Sequence, residues 1–104
     1  MPKKFRVDLT ASAEADTSEI WDYIAQDNPE AATAFILRLE EQIGTLEMFP
    51  QRCPLIPESE LLGASYRHLL FGNYRIIFKI TGATVIVMRI LHEARLLDTD
   101  ILAE

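Results

Sequence analysis

Hydrophobic spacing divides the chain into a short alternating segment, two helical stripes and a run of strands. Phe5, Val7 and Leu9 alternate with Arg6 and Asp8, which predicts a half-buried first strand. Ile20, Trp21 and Ile24 then form an apolar stripe, with Glu14, Asp16, Glu19 and Asp22 assigned to the solvent side, so a helix is predicted to about Gln26. Thr10 is placed to cap it, although Ala13 stands where a capping box would carry Glu or Gln. Asp27-Asn28-Pro29-Glu30 marks a boundary: Asn28 caps, Pro29 suits the first helical position, and Glu30 suits the dipole of the first turn. Ala32, Phe35, Ile36, Leu39, Ile43 and Leu46 recur every three or four residues and predict a second helix to about Met48. The short link makes the two helices an antiparallel hairpin. Trp21, Tyr23 and Phe35 are read as core or helix-packing residues.

Pro50, Pro54 and Pro57 predict irregular structure up to about Ser65. After it comes Tyr66-Arg67-His68-Leu69-Leu70-Phe71-Gly72-Asn73-Tyr74-Arg75-Ile76-Ile77-Phe78-Lys79. Gly72-Asn73 is a two-residue hairpin signal, and Thr81-Gly82 is a weaker one. With Gly72 and Asn73 at the centre of the turn, Phe71 faces Tyr74, Leu70 faces Arg75, His68 faces Ile77, and Tyr66 faces Lys79. Alternation then assigns Leu69, Phe71, Tyr74, Ile76, Phe78 and Ile80 to a face packed on the helices, with Arg67 near its end. Tyr66, His68, Arg75 and Lys79, with Leu70 and Ile77, fall on the other face, predicted to be open and basic. Thr84 to Leu91 is apolar on both faces up to Arg89 and reads as an interior strand. By strict alternation Arg89 lies on the core side, within reach of an acid of the first helix. The pattern does not decide whether residues 96–104 form a helix or a tail. The fold class is therefore α+β in the order β-α-α-β-β-β, with the first strand and the helical hairpin packed on one face of a mainly antiparallel sheet. Residues 1–104 are read as a single domain.

Composition narrows the function. The chain has 104 residues, 49% of them hydrophobic and 25% charged, as in ordinary globular domains. No secretory leader or membrane span is read, and the cytoplasm is the expected location. One cysteine, Cys53, gives neither a disulfide framework nor a metal site, and no cofactor motif occurs. The net charge is −6, but it is unevenly placed. Residues 1–64 hold five Lys or Arg against twelve Asp or Glu; residues 65–104 hold five against four. Between Tyr66 and Arg95 five cations (Arg67, Arg75, Lys79, Arg89 and Arg95) meet one acid, Glu93. Overall acidity argues against nucleic-acid binding by the whole surface, yet it leaves room for one basic face that steers an anionic partner.

The order of elements resembles the RelE/ParE superfamily of toxins from type II toxin–antitoxin systems, including members called plasmid stabilisation proteins. The resemblance rests on Leu9-Thr10-Ala11, Glu19-Ile20-Trp21-Asp22-Tyr23-Ile24, Phe49-Pro50, Gly72-Asn73-Tyr74-Arg75-Ile76-Ile77-Phe78 and Arg89-Ile90-Leu91-His92-Glu93-Ala94-Arg95, over about residues 5–97. It implies a growth-inhibiting toxin neutralised by a cognate antitoxin in a hetero-oligomer, the antitoxin folding around it. RelE-like members cleave messenger RNA in the ribosome. ParE-like members poison DNA gyrase and are not known to perform chemistry of their own. In the RelE-like case the resemblance gives Arg75 and Arg95 to the phosphate and His92 to proton transfer. His68 and Tyr66 stand at two further family positions, the RelE residue at the first being lysine. The tyrosine that follows the second arginine in RelE has no counterpart here. That departure, with the absence of a strongly basic surface, favours the ParE-like reading, in which Tyr66, Arg67, His68, Arg75, Lys79 and Arg89 contact target or antitoxin. An inactive, antitoxin-binding form of the fold is a third reading.

Each candidate also has a plain structural reading. RNA cleavage through the 2′-hydroxyl needs a proton acceptor, a proton donor and cations over the phosphate. His92 and His68 titrate in the right range, and arginines grip phosphate through two parallel bonds. Equally, His68 reads as a surface strand residue, His92 as a capping or hydrogen-bonding group, Arg75 as half of an ion pair, Arg89 as a partner for helix one, and Lys79 as a solvated charge. Cys53 has no base near it in sequence. The acidic helix faces read as solvated surface.

Overall fold

The computed structural model describes residues 4–94. Arg95 and residues 96–104 lie outside that range. The elements are β1 (Arg6–Leu9), α1 (Ala11–Ala25), α2 (Pro29–Gly44), α3 (Ser59–Leu62), β2 (Arg67–Phe71), β3 (Tyr74–Thr81) and β4 (Thr84–His92). The four strands form one sheet in the order β1-β4-β3-β2, with β1 parallel to β4 and the other pairs antiparallel. The α+β class and the β-α-α-β-β-β order hold once α3, a single turn, is set within the connection.

Local chemistry explains where the helices begin. Thr10 is extended, and its hydroxyl oxygen accepts the Ala13 amide at 3.0 Å while its hydroxyl donates to the Met88 carbonyl at 2.8 Å. One side chain thus starts α1 and ties it to β4. Asn28 Oδ1 accepts the Ala31 amide at 3.1 Å, and Pro29 opens α2 as its sequence position requires.

The helix-facing side of the sheet holds the main core. Ile76, Phe78, Val85, Val87 and Ile90 pack with Ala13, Ile20, Leu39, Ile43 and Leu46 from the helices and the turn that follows them. Phe78 is fully buried, a contribution of about 1.5–3 kcal/mol for its side chain alone. Phe35 is half-buried against Phe71 and Tyr74, with ring centroids 5.1 and 5.8 Å apart. Trp21 and Tyr23, expected as core or helix-packing residues, are both exposed rather than in the core, and Trp21 reaches α2 through its Nε1, which donates to the Thr33 hydroxyl at 3.4 Å. Asp16, expected in water, is buried.

The hairpin register follows the Gly72-Asn73 turn, with Phe71 opposite Tyr74, Leu70 opposite Arg75 and His68 opposite Ile77. The ladder ends at Arg67 opposite Phe78, one pair short of Tyr66 and Lys79. There the Tyr66 carbonyl accepts the Ile56 amide and the Ser59 hydroxyl, both at 2.9 Å. The second hairpin closes at Thr81 opposite Thr84, so Gly82 and Ala83 are its central residues rather than Thr81 and Gly82. Between β3 and β4 the register shifts: Phe78 faces Val87 but Ile77 faces Arg89, which leaves Met88 as the extra residue of a β-bulge.

The proline-rich connection is not a loose loop. Phe49, in the left-handed region at φ 50°, reverses the chain, and Arg52 donates to the Met48 carbonyl at 2.7 Å and the Thr45 hydroxyl at 2.9 Å. Leu55 then forms an antiparallel bridge to Arg67, and Ile56 and Leu62 pack with Tyr66, Ile77, Met88 and Leu91 into a second cluster. The sheet face predicted to be open is covered by this segment around Ile77, Met88 and Leu91, while Leu70 on the same face stays exposed.

Candidate functional site

Under that cover lies Arg75. The β3 ladder directs it away from the helices, opposite Leu70 on one side and Leu91 on the other. It is 7% exposed, and its Nη1 and Nη2 donate to Oε1 and Oε2 of Glu58 at 3.1 and 3.0 Å. This is a two-point, charge-assisted fork in a partly dry site, where such bonds are strongest. Glu58 was not among the sequence candidates. Its only signal was an acid between Pro57 and Ser59, in a segment that appeared unstructured from its prolines.

His68 stands on the same face, half-buried, and its Nδ1 is buried with no hydrogen-bond partner among the described residues. Burial, and after it the charge of Arg75, holds its pKa below the ordinary value, with Glu58 opposing. Tyr66 packs into the cluster around Ile77, and Lys79 is half-buried opposite Ile86. The face therefore collects Tyr66, His68, Arg75 and Lys79 as expected. Its arginine is nonetheless buried and engaged rather than displayed.

Two further cations, Arg67 and Arg89, are committed to structure. Arg67 donates through Nη1 to the carbonyls of Gln51 and Cys53 and fastens the connection to the edge of the sheet. Arg89 meets Asp16 of α1, its Nε on Oδ2 at 2.7 Å and its Nη2 on Oδ1 at 2.8 Å. Asp16 Oδ2 also accepts the Ile90 amide at 2.9 Å, and the hydrogen bond to Asp16 raises the pKa of Arg89. The expected bond to an acid of the first helix is present. The bulge at Met88 sets Arg89 opposite Ile77, off the core face that strict alternation gives it, and its side chain still reaches Asp16.

His92 is in a different place. It pairs with Tyr74 across the ladder, and the two rings meet edge to face with centroids 5.7 Å apart. Its Nδ1 accepts the Ala94 amide at 3.2 Å. With Asp16, Glu19, Tyr23, Tyr74 and Ile90 it lines a hollow of about 200 Å³ between α1 and the end of β4. Burial, and then Tyr23, pushes the Tyr74 phenol up. Since Arg75 and Tyr74 are adjacent on β3, the strand directs their side chains to opposite faces, and His92 goes with Tyr74. Arg75 and His92 do not converge on one point.

Cys53 is buried, and burial pushes its thiol up, the reverse of an activated nucleophile. Among the described residues no group of three or more His, Cys, Asp or Glu could hold a metal ion, and no helix is long and apolar enough to cross a membrane.

Comparison with known proteins places this geometry. The fold is similar to a chain of the chromosomal ParDE toxin–antitoxin system from P. aeruginosa, with a TM-score of 0.71 and 24% identity over 86% of this chain and 97% of that one. It is also similar to a chain of the RelBE2 toxin–antitoxin complex from Mycobacterium tuberculosis, with a TM-score of 0.58 and 25% identity over 88% and 94% of the two chains. No curated protein sequence matches at a significant level. The family described as ParE toxin of type II toxin-antitoxin system, parDE, matches residues 7–97. By that match, and with its β-α-α-β-β-β fold, the chain belongs to the ParE toxin family of type II toxin–antitoxin systems.

Proposed function

We propose that this ParE-family toxin acts by occupying its target rather than by cutting RNA, that the target is DNA gyrase, and that a cognate antitoxin holds it in check in the cytoplasm. One observation carries the reading. Arg75, one of the two arginines that the resemblance gives to the scissile phosphate, is buried and bound to Glu58, on the opposite side of the sheet from His92. Catalysis requires the proton-transfer group and the cation within reach of one phosphate, and these two are turned apart. The structural neighbours come from toxin–antitoxin systems, which supports the antitoxin as partner.

The two modes separate on induction in a growing host. Target occupation predicts growth arrest with chromosome breaks, a DNA-damage response and intact transcripts. Growth arrest with cleaved transcripts and an intact chromosome would overturn the reading in favour of a ribosome-dependent nuclease. Absence of arrest would favour an inactive, antitoxin-binding form.

A further inference from the structure

The connection between α2 and β2 is anchored in two different ways. Up to Cys53 it belongs to the main core: Leu46 and Cys53 are buried in the helix-facing cluster, and Arg67 Nη1 donates to the Cys53 carbonyl. From Pro54 onward the chain crosses to the other face of the sheet. There Ile56 and Leu62 pack in the second cluster, with Tyr66, Ile77, Met88 and Leu91. The two clusters share no residue, so the covering segment can part from the sheet while the main core stays intact.

Main-chain bonds and one ion pair tie the segment down. The Ile56 amide and the Ser59 hydroxyl donate to the Tyr66 carbonyl, the His68 amide donates to the Pro54 carbonyl at 3.2 Å, and Glu58 holds Arg75. Gly63 ends α3 in the left-handed region at φ 68°, with nothing within 4 Å of its Cβ position, which leaves the chain room to turn there.

His68 sits beneath this cover. Its main chain carries one of the ties, and its Nδ1 is buried with no partner among the described residues. A neutral ring tolerates that burial at modest cost; a charged ring with a buried, unanswered donor does not. The charged and titratable groups on this face are Arg75 and Lys79 of β3, Glu58 of the covering segment, and Tyr66 beside β2. Arg89 of β4, opposite Ile77, is bound to Asp16, and Glu60 is exposed on the outside of the segment. Arg75 already occupies both oxygens of Glu58. A proton on His68 therefore sets a second cation beside Arg75 with no second carboxylate to balance it. The lowered pKa of His68 records the same imbalance, burial and Arg75 outweighing Glu58.

We propose that residues 54–65 form an acid-opened lid, with His68 as its trigger and the Glu58–Arg75 pair as its latch. While His68 is neutral the lid lies on the sheet. Once the ring is charged, the closed state holds two adjacent cations against one carboxylate, and the segment parts from β2. Opening hydrates all three groups and bares Ile77, Met88 and Leu91. Linkage gives the sign: the ring takes a proton less readily under the lid than in water, so falling pH favours the open form.

The test is hydrogen exchange of the full chain, read by mass spectrometry at pH 7.5 and pH 5.0, with rates corrected for the intrinsic effect of pH. Protection over residues 54–65 is expected to fall by about fivefold or more on acidification, while residues 13–20 of α1 and 36–43 of α2 keep theirs. His68→Leu and His68→Gln, neither of which titrates, are each expected to give the same protection at both pH values. Glu58→Gln, which takes the carboxylate from Arg75, is expected to expose the segment to the same extent already at pH 7.5. Circular dichroism checks that the variants are folded. Unchanged protection of the segment at pH 5.0 would overturn the proposal, as would a loss that the helices share in step. So would a fall that survives in both His68 variants, or a Glu58→Gln lid as closed as the wild type. Stronger protection in acid would also overturn it, because the charged ring would then be drawing Glu58 in. No arm reads toxicity, so the outcome bears on the lid and not on the proposed target.

Discussion

Arg75 and Glu58 lie seventeen residues apart in sequence and meet through two parallel hydrogen bonds, at 3.1 and 3.0 Å, beneath the α3 connection. Their side chains are 8% and 16% exposed, so the pair is held largely out of water. Removing one partner of such a buried pair costs about 3–5 kcal/mol, because the survivor is left charged and dry. Arg75→Ala and Glu58→Ala are therefore each expected to lower the unfolding free energy in urea by that order. The double variant Arg75→Met/Glu58→Leu should recover most of the loss. If Arg75→Ala leaves the urea midpoint unchanged, the pair is not formed as described. A loss of toxicity on Arg75→Ala has accordingly to be read beside its stability.

Asp16 serves Arg89 and the Ile90 amide at once. Asp16→Asn retains an oxygen for the amide but not the charge, while Asp16→Ala abandons both. Denaturation should rank wild type above Asn and Asn above Ala, with the alanine variant down by about 3–5 kcal/mol. An alanine variant as stable as the asparagine one would show that the amide bond contributes nothing.

His68 gives a pH signature with a definite sign. Its folded pKa is lowered from 6.5, chiefly by burial and next by Arg75, so the unfolded chain takes up a proton first as the pH falls. The stability associated with the neutral ring is complete above about 6.5 and is lost as the pH drops toward the folded value. Measured from pH 8 to pH 5, the urea midpoint of wild type should fall relative to that of His68→Leu as the pH drops through that window. Parallel curves would remove the desolvated ring from the account.

Gly44→Ala should stabilise the chain by about 0.5–1 kcal/mol, since the position is helical and a methyl group meets no neighbour. Thermal denaturation checks this. A destabilised variant would mean that Gly44 serves the fold itself.

Features set by short-range chemistry were legible in the sequence. Thr10 and Asn28 cap the helices where their side chains allow, and the Gly72-Asn73 turn fixed a register that assigned Leu69, Phe71, Ile76 and Phe78 to the core. Strict alternation placed Arg89 on the core side but gave no warning of the Met88 bulge, an insertion that leaves no mark in an apolar run. Asp16 looked solvent-facing by period alone, because its partner lies seventy-three residues away. The basic face departs furthest from what residue periodicity predicts. Tyr66, His68, Arg75 and Lys79 were assigned to one side correctly, yet prolines suggested a loop where the chain folds back and sets Glu58 on Arg75. Pairing across such a connection depends on tertiary packing, which residue periodicity does not encode.

The central claim is that this ParE-family toxin blocks a target without cutting RNA. Its most direct test is the purified chain in a gyrase supercoiling reaction, with the same preparation added to translating ribosomes on a defined message. The account predicts inhibited supercoiling with trapped, protein-linked DNA breaks and an intact message. Normal supercoiling with a message cleaved in a ribosome-dependent manner would contradict it.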